Sequence, residues 1–217
     1  LHLCDRRQRQ MCIRDRMYIE RIEQLEKGRR RLVFETGERL VLYKGEIRSY
    51  DLSEGQDIPK TLYQELLFDV LGKRATKRAM HLLEKQDRTE YQLREKLRQN
   101  EYPKEAVEQA IAYVKSYHYI DDLRYACSYV RYQKEKKSNR RLQQDLQKKG
   151  VAKEFIEQAL LEEGNEDETD AIQRLLEKKG YTPEMPREQA NKIYQFLLRR
   201  GYKSSDILYV MRSEYLT

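Results

Sequence analysis

The chain has 217 residues, with a hydrophobic fraction of 39%, a charged fraction of 37% and a formal net charge of +7. This composition, scarce in Gly and Pro, favours exposed amphipathic helices over a fibrous or disulfide-stapled scaffold, and no apolar run approaches the roughly 18 residues needed to span a bilayer. The positive balance suits an anionic partner, nucleic acid or an acidic protein face. Two of the three cysteines fall at positions 4 and 12, leaving Cys127 alone in the body of the chain, so a reducing, cytoplasmic setting is expected.

Residues 1–16 carry five Arg and two Asp, show no apolar period and precede Met17. They read as a non-native leader, a translated linker scar. From Met17 to about Ser53, Ile19, Ile22, Leu32-Val33-Phe34, Leu40-Val41-Leu42-Tyr43 and Ile47 are interspersed with glycines at 28, 37 and 45, a pattern of small strands joined by turns. Glu35-Thr36-Gly37-Glu38 supplies the glycine that a tight hairpin needs. Pro59 stands at the expected first turn of a helix through Leu62, Leu66, Leu67 and Val70, where its missing N–H costs nothing. Residues 17–74 are thus expected to form a small β/α element.

The rest of the chain repeats itself. Gln92 to Ile111, Arg141 to Leu160 and Lys192 to Met211 align without a gap, at spacings of 49 and 51 residues. Leu93, Leu142 and Ile193 correspond, as do Leu97, Leu146 and Leu197, then Tyr102, Val151 and Tyr202, then Val107, Ile156 and Ile207, then Ile111, Leu160 and Met211. A further amphipathic helix precedes each segment, at Ala79 to Lys85, Asp122 to Gln133 and Thr169 to Lys179. The fold expected is mostly α: three tandem three-helix units, at 75–120, 121–164 and 165–217, forming an elongated array behind the small β-containing element.

Local punctuation supports this register. Gly150 and Gly201 fall just past a helix end, where a left-handed residue closes the last turn; the first unit has Glu101 there and is expected to stop differently, with Pro103 as its punctuation. Thr89 with Gln92 matches a capping box, and Asp121 or Asp122 can cap the next helix. Between Glu162 and Asp170 six acids stand without a base, which reads as a hinge or linker.

Several chemistries are absent. No GxxxxGK[ST] motif occurs, since Gly72-Lys73 lacks the upstream glycine and the hydroxyl residue, so ATP hydrolysis is not expected. His81, His118 and Cys127 have no close metal-ligand spacing and read as surface or helix-end residues. Neither enzyme activity, a metal nor a cofactor is expected.

The positive signal lies between Arg131 and Lys149, where Arg131, Lys134, Lys136, Lys137, Arg140, Arg141, Lys148 and Lys149 are opposed only by Glu135 and Asp145. Tyrosines crowd the same neighbourhood, at 113, 117, 119, 125, 129 and 132. Such rings can stack on bases or anchor an interface, but about two-thirds of them are expected in the core.

Here the residues resemble a known family. Ile120-Asp121-Asp122-Leu123-Arg124-Tyr125-Ala126-Cys127-Ser128-Tyr129-Val130-Arg131, with the Thr89 to Val114 block and the Lys149-Gly150-Val151 junction, is similar to RecX, the bacterial regulators of the RecA recombinase. The resemblance runs from about Ala75 to Thr217, and the N-terminal β piece fits versions found in Firmicutes-like bacteria. Glu101 and a divergent third unit depart from the pattern. The resemblance implies a protein that lies in the groove of the RecA filament on DNA and hinders filament growth, ATP turnover and strand exchange. It supplies no catalytic residues, so the contact residues are chosen from charge and position: Arg124, Arg131, Lys136, Lys137, Arg140 and Arg141. The protein is expected to act as a monomer that meets DNA through the filament or directly, with no membrane partner. Two other readings are an autonomous nucleic-acid-binding helical module and a purely structural adaptor of the repeat-protein kind.

Overall fold

The computed structural model describes residues 16–164 and 167–213. The leader reading of 1–16 therefore lies outside the described residues except for Arg16, which opens the first strand and pairs with Pro59. The chain divides into two compact units. One comprises residues up to Asp87 together with Leu93–Tyr119, the other Arg88–Gln92 together with Ile120 onward.

The first unit begins with a four-stranded antiparallel sheet of β1 (Arg16–Gln24), β2 (Arg29–Phe34), β3 (Arg39–Tyr43) and β4 (Asp57–Pro59), in the order β3-β2-β1-β4. The hairpin falls as the sequence indicates. Gly37, at φ +90°, closes the turn with its N–H on the Phe34 carbonyl at 2.8 Å. Leu32-Val33-Phe34 and Leu40-Val41-Leu42 are buried in unbroken runs, so both faces of the sheet are covered rather than one.

One expectation is corrected here: Gly45 and Ile47 do not belong to a turn and strand. They lie in a short helix α1 (Lys44–Ser49), which starts because the Glu46 carboxylate accepts the Tyr43 N–H at 2.7 Å. Pro59 sits one residue before α2 (Lys60–Gln64), as its N-cap. The chain then widens into a π-helical stretch, Glu65–Gly72, before α3 (Lys73–Lys85). A methyl group at Gly72 would meet the terminal amide of Gln109, the far end of a flexible side chain, so a larger residue here would have to displace that amide.

The helices that follow are α4 (Glu90–Gln99), α5 (Lys104–Ser116), α6 (Asp122–Gln133), α7 (Asn139–Lys148), α8 (Lys153–Glu163), α9 (Thr169–Lys178), α10 (Arg187–Arg199) and α11 (Ser204–Ser213). Their buried faces follow the repeat columns. Leu93 and Leu97 are buried in α4, while Leu142, Leu146, Val151 and Ile156 join Ala126 and Val130 in one cluster. Leu197, Tyr202, Ile207 and Met211 join Ile172 and Leu176 in another. Burying an aliphatic side chain of this size contributes about 1.5–3 kcal/mol.

The capping chemistry explains where the helices begin. Asp121 Oδ1 accepts the Arg124 N–H at 2.9 Å and Ser138 Oγ the Arg141 N–H at 3.2 Å. The Thr89–Gln92 capping box is present in both directions, at 3.2 and 3.4 Å. Helix ends are equally regular: Gly150 (φ +78°) bonds back to Gln147, and Val151 to Leu146, the two bonds of a Schellman motif.

The expectation that the first repeat stops differently is overturned. Glu101 adopts φ +63°, its N–H bonds to Arg98 and that of Tyr102 to Leu97, so it performs the glycine's task in the glycine's conformation. A left-handed non-glycine residue costs roughly 1–2 kcal/mol. What the side chain returns is an ion pair between Glu101 and Arg31 of the sheet, within the same unit. His118 (φ +55°) closes α5 in the same manner.

The acid run is not an idle linker either. Glu162 and Glu163 belong to α8, the Glu168 carboxylate accepts the Asn139 N–H at 2.5 Å, and Asp167 accepts that of Thr169 at 2.8 Å. Asn165 and Glu166 lie outside the described residues.

Candidate basic interface

Most of the basic stretch is carried by α6, α7 and the turn between them, all in the second unit. The structure sorts the six chosen residues by what their charges already do. Arg131 grips Glu163 through two hydrogen bonds, at 2.5 and 3.2 Å. That bond and the guanidinium charge hold the Glu163 carboxyl below its usual range. Lys137 lies 2.8 Å from Asp145 and 3.0 Å from the Tyr129 hydroxyl, which itself donates to Asp145 at 3.2 Å. Arg141 approaches the other oxygen of Asp145 at 3.3 Å.

The Asp145 cluster is an internal network. Burial opposes its charge, but the Lys137 hydrogen bond and the charges of Lys137 and Arg141 hold its carboxyl below the ordinary carboxylate range. Lys137 is shifted up: burial opposes this, and the bonds to Asp145 and Tyr129 outweigh it. Lys149 is also engaged, its ammonium 5.3 Å from the Tyr129 ring centroid and 5.8 Å from that of Tyr125.

Arg124, Lys136 and Arg140 remain. Their side chains are exposed and none forms an ion pair among the described residues. Of the six chosen residues, only these three carry uncompensated charge among the described residues, and Lys148 in the same stretch is likewise exposed. Arg140 is drawn into a second grouping that composition alone did not reveal: it lines a cleft with Arg141, Arg199 and Lys203. A signal was present in the repeat register, because Arg199-Arg200-Gly201 aligns with Lys148-Lys149-Gly150.

The tyrosines divide against expectation. Tyr125 and Tyr129 are stacked and packed on the core cluster of the second repeat, but Tyr113, Tyr117, Tyr119 and Tyr132 are exposed. The first three form a ladder, with centroids 4.8 Å apart for Tyr113–Tyr117 and 5.8 Å apart for Tyr117–Tyr119. A helix C-terminus and its left-handed cap at His118 bring the rings together, so exposure wins where burial seemed the safer reading.

Among the described residues no cluster of three or more His, Cys, Asp or Glu could hold a metal, and no helix is long and apolar enough to cross a membrane. His81 faces Glu84 at 3.6 Å. Burial and then Glu162 push the Cys127 thiol up, opposite to what a reactive thiolate needs.

Comparison with known proteins gives these features a common context. Three family models match: the RecX first three-helix domain at residues 75–113, the second at 121–160 and the third at 166–211. The chain is 34% identical to the regulatory protein RecX of Vibrio campbellii, over 70% of this chain and 98% of that protein. It is 30% identical to that of Caldanaerobacter subterraneus, over 88% and 96%. A match to the Clostridium botulinum protein, at 31%, spans 57% of this chain and 60% of that protein. Among solved structures, a crystal structure of regulatory protein RecX aligns with a TM-score of 0.58 at 25% identity, covering 90% of this chain and 99% of that one. RecX from Lactobacillus salivarius aligns at 0.57 and 26%, covering 68% and 98%. With three tandem three-helix repeats, each matched by its own family model, and the Vibrio campbellii and Caldanaerobacter subterraneus relatives matched over nearly their whole length, the chain belongs to the RecX family of regulatory proteins.

Proposed function

We propose that this chain acts on a RecA-type recombinase, binding its filament on DNA and slowing ATP turnover, filament extension and strand exchange. The observation that carries the reading is the set of three family repeats together with the exposed cations Arg124, Lys136 and Arg140, which form no ion pair among the described residues. Both DNA phosphates and acidic groove residues present negative potential, so these cations speed encounter as well as hold the complex. The protein acts as a monomeric cytoplasmic regulator rather than as an enzyme.

The test is DNA-dependent ATPase of the recombinase with purified protein added. Turnover should fall, and charge reversal at Arg124, Lys136 and Arg140 together should restore it while circular dichroism stays unchanged, since exposed substitutions typically shift stability by about 0.5 kcal/mol or less. Unchanged turnover with the folded parent protein defeats the proposal. Arg131 is a poor choice for reversal because the change would also leave Glu163 facing a like charge.

The exposed tyrosine ladder favours a second reading, autonomous binding of single-stranded nucleic acid by base stacking. Binding that survives recombinase removal and falls on Tyr117→Ala would support it.

A further inference from the structure

The cleft beside Arg140 has an unusual lining. It encloses about 460 Å³ and is bounded by Arg140, Arg141, Leu198, Arg199, Tyr202 and Lys203, with Gly201 between them. Among the described residues no carboxylate lines it. Arg141 already shares Asp145, but Arg140, Arg199 and Lys203 form no ion pair among the described residues. Gly201 is fixed in place: at φ +92°, an added Cβ would come within 2.5 Å of Ser138 Oγ and 2.8 Å of Arg141 Cβ.

The lining is not an automatic product of the repeat architecture. Forty-nine residues earlier, the register places Tyr91 at the position of Arg140 and Gln92 at that of Arg141. Fifty-one residues before Arg199 and Lys203 stand Lys148 and Ala152. Four cations therefore occupy positions at which the preceding joint has one. The adjoining cleft shares Arg140, Gly201 and Lys203 but adds Asp167, Glu168 and Asp206, so negative charge is confined to one side. Lys203 also acts electrostatically on Glu168 of the adjoining cleft, but Arg140, Arg199 and Lys203 line one cleft and repel one another, and a phosphate oxyanion on the acid-free side lowers that repulsion while accepting charge-assisted hydrogen bonds.

We infer that the cleft formed by Arg140, Arg199 and Lys203 is a binding site for a phosphate group. The ligand is a phosphate oxyanion, supplied by a nucleic-acid strand, as a terminal phosphate or successive backbone phosphodiesters, or in free form. The site does not depend on the recombinase reading, and it is tested without recombinase.

Calorimetric titration with inorganic tripolyphosphate should show saturable binding by the full chain. Arg199→Ala with Lys203→Ala should weaken it by about tenfold or more, the scale of lost charge-assisted hydrogen bonds. A control with the same charge removed elsewhere, Lys153→Ala with Lys192→Ala, should leave it within about threefold, and circular dichroism checks that both variants remain folded. A short single strand with and without a 5′-phosphate distinguishes the sources. Preference for the phosphorylated strand identifies a terminal phosphate, whereas equal binding by both, weakened by the same double substitution, identifies backbone phosphodiesters. Failure of tripolyphosphate to saturate, or equal weakening in the two double variants, overturns the site. A variant that loses tripolyphosphate yet still slows recombinase turnover would leave the proposed function standing.

Discussion

The first turns of α4 and α7, 49 residues apart in sequence, solve one problem with nearly the same parts. Each starts at a hydroxyl residue with no solvent exposure, Thr89 or Ser138. Each then reaches a carbonyl at the end of the next repeat's middle helix, Lys149 or Arg200. In both, the following N–H, of Glu90 or Asn139, is taken by a carboxylate at the start of the next repeat's first helix, Asp122 or Glu168. The difference lies in the donor. Thr89 uses its hydroxyl twice, accepting from Gln92 and donating to Lys149 at 2.5 Å, whereas Ser138 reaches Arg200 through its backbone N–H at 3.1 Å. A joint can thus be kept while the side chains around it diverge, leaving aromatic packing beside Gly150 and a basic cleft beside Gly201. At the equivalent place in the third repeat, Gln189 lies inside α10, so no hydroxyl cap marks a further joint.

The comparison is broken most severely at its glycine. Gly150→Ala must force a side chain into φ +78° and into the Tyr91 ring, whose Cβ and Cγ lie 2.3 Å from the added atom. A cost of roughly 2–4 kcal/mol is expected in urea unfolding. Gly180→Ala, at φ +64° with nothing within 4 Å, isolates the backbone component at about 1–2 kcal/mol. Similar losses for the two would show that the contact with Tyr91 contributes little. Leu146→Ala belongs to the same size class, roughly 2–5 kcal/mol, because Leu146 is fully buried in the cluster of the second repeat.

The two hydroxyls come next. Thr89→Val keeps the shape but leaves both the Lys149 carbonyl and the Gln92 N–H without their partner, so a loss of roughly 1–3 kcal/mol is expected. Ser138→Ala removes only the cap on Arg141, with its bond to Arg200 intact, and should cost about 1 kcal/mol. A Ser138 variant as damaging as the Thr89 variant would mean that the two joints are equivalent in energy despite their different donors.

These residues also show what was legible in the sequence. The repeat columns found the core because a leucine in a helical repeat has one face to bury, and Thr89, Gln92 and Asp121 were readable because capping is local chemistry. Glu101 was misread because its left-handed conformation is compensated by Arg31, 70 positions away. The same limit applied to the basic stretch: Arg141 and Asp145 are an i,i+4 pair of α7 that spacing alone allows, but that Lys137 and Tyr129 would join Asp145 depended on how α6, the turn and α7 pack. Arg199 and Lys203 were missed because charge was sought along the chain, whereas the cleft gathers it from two repeats.

The Asp145 network predicts a directed pH response. Its carboxyl is held low in the folded chain, so its stabilising contribution is present above the unfolded pKa and is lost as pH falls through the folded one. Lys137 is raised, and its contribution is present below its unfolded pKa and disappears as pH rises through the folded value. Acid unfolding of Asp145→Asn should therefore show a flatter pH dependence than the parent between neutrality and the carboxylate range. An unchanged profile would assign acid sensitivity to other carboxylates, with Glu163 the first to examine.

The smallest effect expected concerns one atom at the second joint. Tyr202 occupies the column of Val151, is 2% exposed, and its hydroxyl has no hydrogen-bond partner among the described residues. Burial, reinforced by Glu168, pushes its pKa up to about 12. A buried hydroxyl without a partner loses its hydration and gains nothing in return, while the ring itself packs with Ile172, Leu176 and Ile207 in the third repeat's cluster. Tyr202→Phe keeps that packing and deletes the unsatisfied group, so stability should be unchanged or rise by up to about 1 kcal/mol. Tyr202→Val, which copies the second repeat, should instead cost roughly 2–4 kcal/mol through the cavity it leaves. The pair separates ring from hydroxyl: a loss above about 1 kcal/mol for Tyr202→Phe would reveal a hydrogen-bond partner, such as an ordered water, and would mark the hydroxyl as a working part of the joint.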